Sequence, residues 1–381
     1  MKLLVFCPHF APDIAPTGEV MTSIAKALAD LGHELHIVTA LPWYRDHAVD
    51  EGWRGRPWRT EKTSWGRITR LHPFPTNKSN IPARAVAFAG FTGMATLFGL
   101  LKRDRPDVVM VMSPPLPLGI AGWLAAASRR RPFVFNVQDV FPDVAVELGV
   151  IANPVVIAVA SWLERFLYKR SSAVTVLSED LRDNVVRKLR GARSERVRVI
   201  PNFVDTERVK PSERENSYRA EFGLSGKTVV LYAGNVGMSQ SLDLVVEAAR
   251  RNQSREDVVF VINGGGSALT GLKDSAEGLT NLKFIGMQPR ERLSEVLAAG
   301  DIHLVPLKRG LARSSVPSKL YSILASARPV LASVDAGTEV ETTIERAAAG
   351  VAVAPEDVDA FCDALDKMLA APSELAAMGE S

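Results

Sequence analysis

Apolar runs with strand character alternate with helix-patterned segments along almost the whole chain, and this alternation limits the fold more than any other feature. Parallel neighbours need a crossover connection, so a strand-then-helix rhythm predicts parallel sheets with helices on their faces. In the first half the strand runs are KLLVF, LHIVT, RITRL, DVVMVM, FVFNV and AVTVL; in the second they are TVVLYAG, VVFVING, LKFIG, DIHLVPL, PVLAS and GVAVA. Between the first two, Val20, Ile24, Leu28 and Leu31 recur at helical spacing, and Gly32 supplies the stop. Leu242, Val245, Val246 and Ala249 mark the buried stripe of the helix that opens the second series. Residues 205–227 are rich in charge and read as an exposed link with a short helix. A chain of 381 residues outgrows one core. The sequence therefore predicts an α/β protein of two tandem, doubly wound, Rossmann-like domains, 1–200 and 201–381, facing across a cleft. Ligands on such sheets bind beyond the carboxyl ends of the strands.

Composition removes several classes of function. Cys7 and Cys362 lie far apart and share no metal-ligand spacing, which argues for a reducing setting and against a zinc site. The opening MKLLVFCPHFAPD reads as a first strand rather than a signal peptide, so a cytoplasmic protein is expected. A net charge of +3 is too mild to indicate nucleic acid. Local basic clusters at Arg67 with Arg70, at Lys102, Arg103 and Arg105, and at Arg129 to Arg131 read either as solvated faces or as surfaces turned toward acidic lipid. Residues 85–101, AVAFAGFTGMATLFGLL, carry no charge. They fall short of the roughly 20 residues a bilayer crossing needs, and Gly90, Gly93 and Gly99 weaken a spanning helix further. Two readings stay open: a buried helix, or one lying on the inner face of the membrane.

The motifs point to phosphate. In PHFAPDIAPTGEV, residues Pro12, Pro16 and Gly18 shape a loop that ends at a helix N-terminus, where backbone amides can meet an anion. LYAGNVGMSQSLDL repeats the pattern with Gly234 and Gly237, followed by a helix expected to be capped by Ser241 with Asp243 in its first turn. VINGGGS places Gly264 and Gly265 after the next strand. SVPSKLYSILASARPVLAS then sets Lys319 in the first turn of a helix, where a cation is disfavoured unless an anion sits between it and the amides. Together these suggest a nucleotide diphosphate held by the second domain, its base near FIGMQ. His9 and His33 read as loop and turn residues without chemistry, and no carboxylate cluster marks a metal site.

In this order and spacing, PTG, NVQDVFPD, GNVGMSQSLD, GGG, and VPSKLY before ARPVLAS resemble the retaining, nucleotide-sugar-dependent glycosyltransferases of family 4, which have the GT-B architecture. The resemblance covers nearly the whole chain and is closest to the branch making colanic acid and O-antigen, including N-acetylfucosaminyltransferase-like proteins. It implies an acceptor-binding first domain, a second domain holding a UDP-sugar as co-substrate without a metal, and a lipid-linked or other glycan acceptor. It implies catalytic roles for Lys319, Asp139 and Gln138, with Gly18, Gly234, Gly237, Gly264, Gly265, Arg313 and Ser318 around the donor, and Lys308 as a further helper. Asn235 and Gln240 stand where many relatives have Arg and Lys. Ser314 and Ser322 stand where many have two Glu. Serine cannot supply the charged acceptor for ribose hydroxyls, an interaction worth about 1.5–3 kcal/mol. These departures favour a rival expectation, a non-catalytic nucleotide-sugar-binding subunit that supports a partner. Relatives commonly continue past the equivalent of ELAAMGES into a helix that crosses back to the first domain.

Overall fold

The structure, a computed structural model, describes residues 1–380 apart from 46, 77–80 and 102–104. Lys102 and Arg103 of the second basic cluster thus lie outside the described residues. Two compact units divide the chain, Met1–Pro201 and Asn202–Ser381.

The first unit runs β1 (Lys2–Phe6), α1 (Pro16–Asp30), β2 (Glu34–Ala40), β3 (Trp58–Thr63), β4 (Gly66–Leu71), α2 (Ile81–Leu101) and β5 (Val108–Ser113). It continues with α3 (Leu118–Arg129), β6 (Phe133–Val137), α4 (Asp143–Glu147), α5 (Pro154–Arg170), β7 (Ala173–Val176), α6 (Glu179–Lys188) and β8 (Val197–Val199). Its sheet has eight strands in the order β3-β4-β2-β1-β5-β6-β7-β8. All neighbours are parallel except β3 and β4, an antiparallel edge pair that the strand-helix rhythm does not reveal. Trp58 to Thr63 is mostly polar and exposed, as an edge strand is, and so lacks the apolar run by which its neighbours are recognised.

The second unit runs α7 (Ser217–Phe222), β9 (Thr228–Ala233), α8 (Asp243–Arg251), β10 (Val258–Asn263), α9 (Leu269–Ser275), β11 (Leu282–Ile285) and α10 (Leu293–Ala298). It closes with β12 (Ile302–Pro306), α11 (Lys319–Ala325), β13 (Val330–Ser333), α12 (Glu339–Arg346), β14 (Gly350–Val353), α13 (Val358–Ala370) and α14 (Pro372–Glu380). Six parallel strands follow the order β11-β10-β9-β12-β13-β14. Successive residues of β9 feed opposite cores: Val230 and Tyr232 pack with Phe260, Phe361 and Leu365, while Val229 and Leu231 pack with Tyr218, Val259 and Val261. Burial on both faces explains why these strands read as unbroken apolar runs. On α14, Leu375 and Met378 pack against the core of their own unit.

Several expectations need correction. In α1, Val20, Ile24 and Leu28 pack half-buried against the core that Met21 and Ala25 enter, as expected, whereas Leu31 lies past the helix end and is 74% exposed. Ser241 does not cap α8: Leu242 is the N-cap residue, and Ser241 Oγ is buried with no hydrogen-bond partner among the described residues. Arg70 is 1% exposed and turns inward, so it forms no lipid-facing cluster with Arg67. Arg129 is half-buried and donates to the carbonyls of Ala125 and Leu100, leaving Arg105, Arg130 and Arg131 exposed. In α2, residues Ala87, Phe91 and Ala95 are buried, and no helix among the described residues is long and apolar enough to cross a membrane. Cys7 and Cys362 are buried free thiols, pushed up to about 12 and about 11 by desolvation.

The segment 205–227 is not a mere link. Arg219 is fully buried; its guanidinium donates to the Ala299 carbonyl, Glu215, the Lys227 carbonyl and Asp301 at 2.7–3.0 Å. Asp301 also accepts from Arg214 and from the Val229 amide, so the start of β9 is pinned through this carboxylate. Replacing Arg219 with Met strips the Ala299 carbonyl of its guanidinium donors and leaves Asp301 with Arg214 as its remaining cation, at a cost of about 1–3 kcal/mol. The expected outcome is a lower denaturant midpoint for the second unit at unchanged slope.

Candidate active site

In each sheet the strand order reverses beside the first strand of the unit, between β1 and β5 and between β9 and β12. Loops leaving such neighbours at their carboxyl ends diverge and open a crevice. Gly234, Asn235, Gly237, Gln240, Arg313, Ser314, Ser318 and Lys319 lie on these loops or at their ends, whereas Gly264 and Gly265 follow β10 and Gln138 and Asp139 follow β6.

In the second unit the loop after β9 carries Gly234, Asn235 and Gly237, and the loop after β12 leads to Lys319. Gln240 pairs with Leu307, the Lys308 amide donates to the Ser239 carbonyl, and the Ser241 amide to that of Pro306, which ties the two loops together. The loop after β10 is stitched to the first in the same way: Gly234 donates to Asn263, Val236 to Gly265, and Ala268 to Val236. Gly264, at φ +154, allows this approach, since a Cβ there would lie 1.9 Å from the Gly234 carbonyl oxygen. Loop-to-loop packing thus accounts for Gly264, while the space beside Gly265 is open.

Lys319 occupies this arrangement. Its residue surface is half-buried, but Nζ is sealed from solvent and has no hydrogen-bond partner among the described residues. Nζ lies 3.7 Å from the centroid of the Tyr232 ring, and a Cβ on Gly234 would come within 3.1 Å of it. The bare backbone of Gly234, at φ +146, makes room for the ammonium. Tyr232 donates its hydroxyl to the Asn235 carbonyl at 2.6 Å, fixing the ring face under the cation. Desolvation by burial pulls Lys319 down to about 7. A sealed ammonium with no hydrogen-bond acceptor among the described residues is unfavourable by itself.

The remaining donor-side residues divide. Asn235 is exposed; Gln240 turns its amide into the loop, accepting from the Gly237 amide at 3.1 Å and donating to Ser239 at 2.7 Å. Arg313 and Ser318 are exposed and Ser322 is half-buried. Ser314 is fully buried and gives its hydroxyl to the Leu311 carbonyl at 3.2 Å, which spends it on the turn before α11.

In the first unit Gln138 follows β6, 6% exposed, its amide nitrogen on Asn136 at 2.8 Å and its backbone N–H on the Ser113 carbonyl. Asp139 is half-buried and does not cap α4, whose N-cap residue is Pro142. Gly18 is explained by packing: a Cβ there would lie 2.9 Å from that of His9. The sequence gives no sign of what His9 does. Its Nδ1 is 2.6 Å from Asp13, a carboxylate 3% exposed whose other oxygen accepts the Tyr44 amide. Such a bond places the proton of a neutral ring on Nδ1 and leaves Nε2 as an acceptor. Trp43 stacks on the same imidazole at 5.7 Å and Tyr44 meets it edge-on at 5.4 Å. Arg70 steadies the loop by donating to the carbonyls of Phe10 and Ala11.

Residues 17–202 match the family described as Glycosyl transferase 4-like domain, and residues 227–371 match Glycosyl transferases group 1. The chain is a glycosyltransferase with the GT-B architecture. It is 28% identical to the Putative colanic acid biosynthesis glycosyl transferase WcaI of Escherichia coli, over 98% of this chain and 93% of that one. Against the Probable glycosyltransferase WbjE of Pseudomonas aeruginosa, identity is 27% over 77% of this chain and 74% of the other. Among solved structures, sucrose-phosphate synthase from Thermosynechococcus elongatus superposes with a TM-score of 0.72 at 17% identity, over 100% of this chain and 92% of that one. Anabaena HepE in complex with UDP-glucose gives 0.71 at 15% identity, over 100% and 92%.

The buried amine makes a test that separates binding from stability. Lys319→Met fills the same space without a charge, so the unliganded protein should gain stability, by about 1–2 kcal/mol, while losing its affinity for diphosphate. Thermal melting with and without UDP reads both. A melt that falls, or one that UDP still raises as in wild type, contradicts the assignment.

Proposed function

We propose that this glycosyltransferase moves a sugar from a UDP-sugar to a lipid-linked or other membrane-proximal glycan acceptor, with retention of configuration, in the synthesis of a surface polysaccharide. The observation that carries this reading is the sealed, unpartnered Lys319 ammonium between the Gly234 loop and Tyr232. The names of the relatives, with WcaI described for colanic acid and HepE held with UDP-glucose, agree with it.

In this mechanism the bond from the anomeric carbon to the diphosphate oxygen breaks, and the bond to the acceptor hydroxyl forms on the same face. The hydroxyl proton passes to the departing diphosphate. Negative charge grows on that leaving group, and Lys319 is placed to stabilise it, so its contribution is larger in the transition state than in the ground state. No metal is required for that role. The second unit holds the donor, with Asn235, Gly237, Gly265, Arg313, Ser318 and Ser322 near it. The first unit holds the acceptor: His9 Nε2 accepts a hydrogen bond from a sugar hydroxyl, Trp43 offers an aromatic face, and Gln138 and Asp139 complete the polar side. The uncharged Asn235, Gln240 and Ser314 favour a second reading, a subunit that binds the donor without turning it over.

Calorimetric titration of UDP and UDP-N-acetylglucosamine into wild type and Lys319→Ala, followed by a donor hydrolysis assay, separates these readings. Binding lost in the variant, with slow hydrolysis by wild type, is expected. Binding without turnover favours the subunit, and binding unchanged in the variant removes the diphosphate assignment. The affinity should also depend on pH. Below pH 7 Lys319 is protonated and ready for the diphosphate; as pH rises through about 7 the free protein loses that cation. From pH 6 to pH 8 affinity for the UDP-sugar should fall by about tenfold, with proton uptake on binding at the higher pH. His9→Phe keeps the ring stack and should leave donor affinity intact while lowering transfer of labelled sugar into lipid extracts.

A further inference from the structure

The first turns of α5 are among the most exposed apolar segments of the molecule. Val155 is 68% exposed, Val159 60% and Trp162 61%, and the buried residues of this helix are Glu164, Leu167 and Tyr168. No charge occurs from 148 to 163. Val155, Val159, Trp162 and Phe166 follow helical spacing, so they form one stripe. Trp162 stacks on Phe166 at 5.6 Å, and the Arg170 guanidinium lies over the Phe166 ring at 5.5 Å. The stripe therefore passes from aliphatic to aromatic to cationic along a single face.

The charges of this helix are sorted by sign. Arg165, Lys169 and Arg170 are exposed. The one carboxylate, Glu164, is fully buried, held by Lys188 at 2.7 and 2.8 Å and by the Tyr168 hydroxyl at 2.9 Å. Arg193 donates to the Lys169 carbonyl and brings another cation to the same end. A helix that shows solvent only apolar and cationic groups, with a tryptophan between them, suits the boundary between acyl chains and anionic head groups. Two copies laid stripe to stripe would set these cations against one another or against the valines, whereas lipid phosphates neutralise them.

We propose that α5 docks the first unit on an anionic bilayer surface, its valines and Trp162 entering the interface and Arg165, Lys169 and Arg170 meeting the head groups. This contact differs from the one expected of residues 85–101, and it does not depend on the transferase reading, because vesicle binding needs neither donor nor acceptor. The test is co-sedimentation of the full chain with vesicles of phosphatidylcholine alone and with roughly one-third phosphatidylglycerol. Wild type should bind the anionic vesicles and bind phosphatidylcholine weakly. Val159→Asp combined with Trp162→Glu should lower the partition by about tenfold or more at an unchanged circular dichroism spectrum, and Trp162→Phe should retain most of it. Equal binding by the double variant, or no binding by wild type, overturns the proposal. So does a wild-type dimer that the double variant dissociates without any vesicle binding.

Discussion

The second unit is organised around an ammonium that has nowhere favourable to be. Lys319 sits at the first position of a helix, sealed from water, with an aromatic face and a glycine backbone for neighbours and no hydrogen-bond acceptor among the described residues. Each supporting feature follows from holding it there. Gly234 leaves space, Tyr232 supplies the ring and is fixed through the Asn235 carbonyl, and the loops after β9, β10 and β12 are bonded to one another. Holding a desolvated ammonium in this place costs the fold stability.

Much of this was legible in the sequence, for a physical reason. Parallel strands covered on both faces must be apolar throughout, so VVFVIN and TVVLYA announce themselves, and a lysine in a first turn is anomalous enough to be noticed. What escaped is what a linear pattern does not encode. Strand β3 is polar because it lies at an edge. His9 and Asp13 look like loop punctuation, and only the fold of PHFAPD closes the distance between them. Arg219 and Arg70 look like surface charge, yet each is buried by carbonyls and carboxylates that lie 4–82 and 9–60 residues away.

The glycines teach the same lesson from the other side. Sequence reading assigns them to ligand approach, whereas Gly264 answers to another loop and Gly18 to the backbone of His9. Only Gly234 bears directly on the cation. A glycine-rich turn thus records a close approach without saying to what, and the approaching group has to be found in three dimensions.

The antiparallel ribbon of β3 and β4 sits at the margin of the first sheet, yet Arg70, which belongs to it, grips the carbonyls of Phe10 and Ala11 while pairing with Glu61 and lying over Trp53. The ribbon is thereby a buttress for the loop that presents His9. Its sequence is tied to that loop, because Glu61 and Trp53 hold the guanidinium that donates to the Phe10 and Ala11 carbonyls.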